Sequence, residues 1–163
     1  MTRDEKVRAL REKARVLYEG KEVAHRSCGV ALAETFGRDP RPYLTLRRGG
    51  LTGEGLCGAV LAGQLVLGEL LGGDDFTAPA PPALREALER YRAAVAARLR
   101  TGGAESLVCN ALVGRFPIFQ SEERAAFCTD IAATVAEIVA EIAVDLGAEV
   151  EVTAMRPSTP LRG

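Results

Sequence analysis

The stretch from Leu56 to Leu71, LCGAVLAGQLVLGELL, is apolar almost all round, with Gln64 and Glu69 as its polar interruptions. A surface helix needs only an apolar stripe, whereas a helix apolar on every side must be packed on several sides by other elements. The run falls short of the ~20 residues that cross a bilayer. It therefore reads as a central core helix of a helical fold, and its small residues Gly58, Ala59, Ala62 and Gly63 let neighbouring helices come close.

The flanking chain supplies those neighbours. From Thr2, an N-cap residue, Val7, Leu10, Ala14 and Leu17 recur at helical spacing up to Gly20. A second helix is expected over Glu22 to Phe36, stopped by Gly37 and carrying His25 and Cys28, with Pro40 and Pro42 keeping the following chain extended or turning. YLTL at 43–46 reads as a very short strand without an obvious partner. After the break GGDDFTAPAPP, Leu84, Leu88, Tyr91, Val95 and Leu99 continue the helical period, and a shorter helix around Glu105 to Val113 contains Cys109. The last helix starts at Ser121 with Glu122 and Glu123 at its positive end. Its stripe of Cys128, Ile131, Val135, Ile138, Val139, Ile142 and Leu146 is the cleanest amphipathic signal in the chain. AEVEVTA alternates like a strand, and RPSTPLRG reads as a loose tail.

The expected fold is all-α: a compact bundle of five to six helices around one apolar helix, with a minor β element near the C-terminus. The nearest alternative is α plus a small β-hairpin. With 163 residues, 47% of them hydrophobic and 26% charged, the chain can bury roughly two-thirds of its unfolded surface without disulfides. Residues 1–147 are expected to form one helical domain, with a cysteine-bearing core at about 20–145 and a strand or tail over 148–163. Basic and acidic residues number 21 and 22, for a formal charge of -1, so no global field draws the chain to nucleic acid or an anionic membrane. The 5% aromatic content and absence of tryptophan argue against a stacking surface for single-stranded nucleic acid. The N-terminus lacks an apolar core of signal-peptide length, which points to the cytoplasm, where thiols are kept reduced.

Ahead of the central helix, Gly53-Glu54-Gly55-Leu56-Cys57-Gly58 matches G-x-G-x-x-G, and Asp74 or Asp75 stands near the distance of a ribose-binding acid. A dinucleotide site needs a strand before the loop and a second parallel strand ending at the acid. Neither fits here, and no Gly-Lys-Ser/Thr follows to make a phosphate loop, so nucleotide binding is not expected. What the glycines supply is backbone freedom beside Cys57, at or near a helix N-terminus where amides and the helix dipole favour a thiolate. Arg47 and Arg48 add to that effect if the loop folds back. The competing reading makes Cys57 a small core hydrophobe.

No two of Cys28, Cys57, Cys109 and Cys128 form C-x-x-C, so local zinc, thioredoxin and iron-sulfur signatures are absent, as is C-x-x-C-H for covalent haem. Any joint site has to be assembled by the fold, from cysteines in or at the start of four different helices. His25, the one histidine, would share a helix face with Cys28. It is a candidate metal ligand or proton holder, with a solvated surface residue as the other reading. The locally basic run from Arg38 to Arg48 reads as a solvated loop.

The segments HRSCGVALAETFG around Cys28, GEGLCGAVLAGQLVLGELLG around Cys57, SLVCNALVG around Cys109 and AAFCTDIAATVAEIVAEI around Cys128 resemble a family of redox-active proteins named for the spaced pattern C_GCAxxG_C_C. The resemblance covers roughly residues 20 to 145. Leu56 stands where the pattern has glycine before the second cysteine, and Gly58 precedes Ala59, so the central motif is loosened. The resemblance implies a helical domain whose four cysteines take part in redox chemistry or bind a metal centre such as an iron-sulfur cluster.

These observations lead to a small redox protein. In one form Cys28, Cys57, Cys109 and Cys128 are ligands of an iron-sulfur or other thiophilic metal centre for electron transfer. In the other, Cys57 is an attacking thiolate with Cys28 or another cysteine resolving the intermediate. A non-catalytic helical interaction protein with structural core cysteines is the alternative. The redox partner and the oligomeric state, a homodimer included, are left open.

Overall fold

A computed structural model describes residues 1–155. The tail RPSTPLRG lies outside the described residues. Helix α1 (Arg3–Glu19) starts where its sequence says it should: the Thr2 hydroxyl accepts from the Glu5 amide and the Glu5 carboxylate accepts from the Thr2 amide, satisfying two otherwise orphaned donors. It is followed by α2 (Cys28–Thr35), a 3₁₀ turn (Arg41–Leu46), α3 (Gly58–Leu71), α4 (Pro82–Arg98), α5 (Cys109–Val113) and α6 (Glu122–Asp145). The Ser121 hydroxyl caps α6 by accepting from the Arg124 amide. The described residues contain no β-strand, only an isolated antiparallel bridge between Leu56 and Val108. No described helix is long and apolar enough to cross a membrane.

Helix α6 lies along α1 and also packs on α2, α3 and α4, while α3 packs on α2, α4 and α6. The core is one continuous cluster, with Leu10, Leu17, Leu32, Leu67, Val135, Ile138 and Val139 fully enclosed. Gly63 shows what small residues on α3 accomplish: a Cβ there would lie 2.4 Å from the Tyr91 hydroxyl and 2.8 Å from Val135, so α4 and α6 close on α3 across it. One edge of α3, with Gln64, Leu65 and Glu69, still faces solvent. The helix is therefore covered on most sides rather than on all.

Four local expectations are corrected. The second helix begins at Cys28 and not at Glu22, because the intervening chain is tied back to α1: the Arg26 amide donates to the Leu17 carbonyl at 2.8 Å. His25 therefore sits on a connection and shares no helix face with Cys28. YLTL belongs to the 3₁₀ turn, which has Pro42 in its first turn and is anchored by the buried Tyr43 through its hydroxyl to Glu69. The helix expected from Glu105 is confined to Cys109–Val113, since Leu107 accepts from the Cys57 amide at 2.7 Å and Val108 bridges to Leu56. AEVEVTA forms no strand. With no second strand to pair with, it runs irregularly beside α1, burying Val150 and receiving the Lys13 ammonium on the Thr153 carbonyl and hydroxyl, both at 2.8 Å.

A candidate redox cavity lined by four cysteines

The elements end where the chemistry collects. Cys28 is the first residue of α2, Cys57 the N-cap of α3, Cys109 the first residue of α5, and Cys128 lies in the second turn of α6. All four border one cavity of about 330 Å³. All four are free thiols, Cys57 buried and the other three half-buried. Among the described residues no three His, Cys, Asp or Glu side chains form a group that could hold a metal ion as they stand. The sulfurs stand around the hollow rather than closing on one point.

Two glycine positions explain how sulfurs from distant segments reach the same place. At Gly58 a Cβ would lie 2.4 Å from Cys28 Sγ and 2.3 Å from the Leu46 carbonyl oxygen, so only a residue without a side chain lets Cys28 lie over the start of α3. Gly49 adopts φ 58° and a Cβ there would meet Cys109 Cβ at 2.7 Å. The glycine-rich loop thus wraps the Cys109 segment: the Cys109 amide donates to the Gly55 carbonyl and the Asn110 amide to the Gly53 carbonyl, each at 2.9 Å. That is the use the fold makes of the G-x-G-x-x-G run.

The four thiols are not electrostatically equal. The expectation that a helix N-terminus would favour the Cys57 thiolate is reversed: burial pushes its pKa up to about 12, outweighing the Ala59 and Val60 amides that work in the other direction. Cys28 is also raised by burial, against the lowering effect of the Arg48 and Gly29 amides. Cys128 is raised by burial too, but the neighbouring Arg124 guanidinium and Tyr18 hydroxyl oppose the shift. Arg48 donates from Nη1 to Cys109 Sγ at 3.0 Å.

The wall around them is polar at chosen points. The Tyr18 hydroxyl accepts from Arg124 Nη1 at 2.8 Å, and burial with the neighbouring sulfurs holds its phenol well above its ordinary pKa, so it stays a protonated donor. His25 borders the cavity with its ring edge-on to Tyr18, centroids 4.8 Å apart, and donates from Nδ1 to the Tyr18 carbonyl.

The structure therefore brings Cys28, Cys57, Cys109, Cys128 and His25 to one cavity, together with Arg47 and Arg48. Arg48 serves Cys109 rather than Cys57. Sequence reasoning passed over Tyr18, Phe119 and Arg124. Arg124 had a legible signal, since it precedes Cys128 by one helical turn on α6. Tyr18 and Phe119 had none, because their meeting with the cysteines is purely tertiary.

Four thiols from four elements fit a thiophilic centre by donor chemistry, with the arginines as counter-charges. The family model described as "Putative redox-active protein (C_GCAxxG_C_C)" matches residues 25–142. No curated protein and no solved structure matches the chain.

Proposed function

The chain belongs to the C_GCAxxG_C_C family of redox-active proteins, and from that premise we propose that its cysteine-lined cavity is a metal-thiolate site for electron transfer. Cys28, Cys57, Cys109 and Cys128 are the ligands, and an iron-sulfur cluster or another thiophilic metal is the centre. The observation that carries this reading is the convergence itself: cysteines from positions 28 to 128, on four separate elements, border one cavity. When bound, the centre would supply one-electron chemistry. The chain's own contribution is electrostatic and steric. Arg48 and Arg124 offset thiolate charge, and the neighbouring Tyr18 hydroxyl favours the charged form of Cys128. The protons that burial keeps on Cys57 and Cys28 at neutral pH would leave on ligation, which makes affinity rise with pH. His25, at the cavity wall, is a candidate holder for one such proton or a further ligand.

A second reading, thiol exchange, is favoured by the arginine contacts of the half-buried sulfurs. In it Cys109 or Cys128 attacks a partner disulfide as thiolate, and a second cysteine thiolate displaces the partner from the mixed disulfide. Two electrons pass to the partner, which leaves as a dithiol, and the chain becomes the disulfide. Cys57, deep and protonated, is the wrong attacking group for that role. Either form fits a reducing compartment such as the cytoplasm and needs a redox partner protein.

Anaerobic purification followed by iron, sulfide and zinc assays separates the two. A redox-active metal in stoichiometric amount, such as iron with sulfide, lost in the Cys57→Ser and Cys109→Ser variants, is the expected result. A metal-free anaerobic preparation with four titrating thiols would exclude the metal-thiolate form and leave thiol exchange.

A further inference from the structure

One arrangement at the cavity mouth is not used by either redox reading. Phe119 lies on the connection between α5 and α6, 38% exposed, and borders the cavity. The guanidinium carbons of Arg48 and Arg124 both stand over its ring, 4.7 and 4.1 Å from the centroid. Arg124 Nε also donates to the Phe119 carbonyl at 2.6 Å. The same two guanidiniums reach the cavity wall, Arg48 donating to Cys109 Sγ at 3.0 Å and Arg124, one helical turn before Cys128, donating to the Tyr18 hydroxyl at 2.8 Å. Among the described residues neither is within ion-pair distance of a carboxylate.

An arginine side chain is long and rotamer-rich, and an unpaired one near the surface ordinarily extends into water. Here one aromatic ring attracts both cations and helps keep them at the cavity. An aliphatic side chain would fill the same volume without that attraction. Two positive charges held without carboxylate partners, around a cavity that also carries Arg47, raise the local concentration of anions relative to neutral molecules.

We propose that Phe119 is a positioning residue that clasps Arg48 and Arg124 against Cys109 and Cys128, and that the clasped pair makes the cavity mouth select small anionic reactants over neutral ones. The proposal rests on the reading of this cavity as the redox site and adds the charge class of what reaches it.

The test uses the full-length chain, reduced and metal-free, alkylated at low salt with iodoacetate or iodoacetamide and read by peptide mass spectrometry at Cys109 and Cys128. The ratio of the two rates cancels the thiolate fraction and leaves the charge preference. Phe119→Leu should lower that ratio about fivefold, the size of one close charge interaction in water. Phe119→Tyr, which keeps the ring, should hold it near the parent value. The difference should vanish near 1 M salt, where screening acts within about 3 Å. Phe119→Met stands in if the Leu variant does not fold. An unchanged ratio in the non-aromatic variants, or a Tyr variant that drops as far as they do, overturns the proposal. Because alkylation needs neither metal nor partner, failure of the clasp is read separately from failure of the redox assignment, which the metal assays report.

Discussion

The seam between α1 and α6 and the cysteine cavity are built on opposite rules. Along the seam Leu10, Ala14 and Leu17 are fully enclosed and α6 presents Val135, Ile138 and Val139, equally enclosed, so the centre of the seam is apolar. Charge stays at the edge, where Arg3 pairs with Asp145 and Arg11 with Glu137. At the cavity the wall carries three half-buried sulfurs and the buried Cys57, and among the described residues Arg48 and Arg124 meet sulfur, phenol and an aromatic ring instead of carboxylates. Helix α6 takes part in both. Its middle is core, while its second turn carries Cys128 and its first Arg124. Stability in this molecule resides mainly in helix middles, and reactive groups gather at helix ends, where amides and loops can be shaped without opening the core.

The largest expected effect tests whether the two regions are independent. Ile138→Ala leaves a hole in the enclosed seam, and such truncations cost about 2–5 kcal/mol. The urea midpoint should fall accordingly while the alkylation pattern of the four cysteines at low denaturant stays as in the parent. A changed pattern would mean that the seam and the cavity are one cooperative device.

Gly58→Ala should strike both at once. Its Cβ would meet the Leu46 carbonyl at 2.3 Å, a backbone atom that cannot swing aside, and Cys28 Sγ at 2.4 Å. A loss of about 1–3 kcal/mol is expected from the overpacking, accompanied by faster alkylation of Cys28 as its sulfur is displaced. Stability loss with an unaltered Cys28 would show that the glycine serves only the packing of the 3₁₀ turn on α3.

The smallest effect is a pH dependence confined to the cavity. Below about pH 9 the Cys57 thiol is protonated in both the folded and unfolded chain, and its contribution is fully present. Above that, the unfolded chain ionises near the ordinary value of 9.0 while the folded chain holds its proton to about 12. Stability should therefore fall with rising pH in this window, by up to about 1.4 kcal/mol per pH unit for this one thiol. Cys28 and Cys128, raised in the same direction, add to the fall. Urea unfolding of the metal-free chain at pH 8 and pH 10 should show a shallower decline in Cys57→Ala than in the parent. Equal declines would remove Cys57 from this account.

Much of the helical framework was legible because its causes are local. The Thr2 capping box, the Gly20 stop, the Pro82 start and the Ser121 cap each depend on residues within a turn of one another. The failures share the opposite property. Residues 22–27 carry a helical pattern, yet the Arg26 amide finds the Leu17 carbonyl, and residues 105–108 yield to a backbone partner at Cys57. In each case a contact from a distant segment outcompeted local preference. The strand-like alternation near the C-terminus met no partner strand and so formed none.

By itself, then, the sequence determined that the chain is helical, that Leu56 to Leu71 lies mostly inside, and that four cysteines belong to a redox pattern, because periodicity, capping and motif spacing are properties of neighbouring residues. Only the tertiary structure decided that those cysteines share a cavity and that Gly58 makes room for Cys28. It alone raised Cys57 rather than activating it and set Arg48, Arg124 and Phe119 at the cavity mouth. Burial and through-space charge depend on which atoms surround a group once the chain has closed, and no local pattern carries that information.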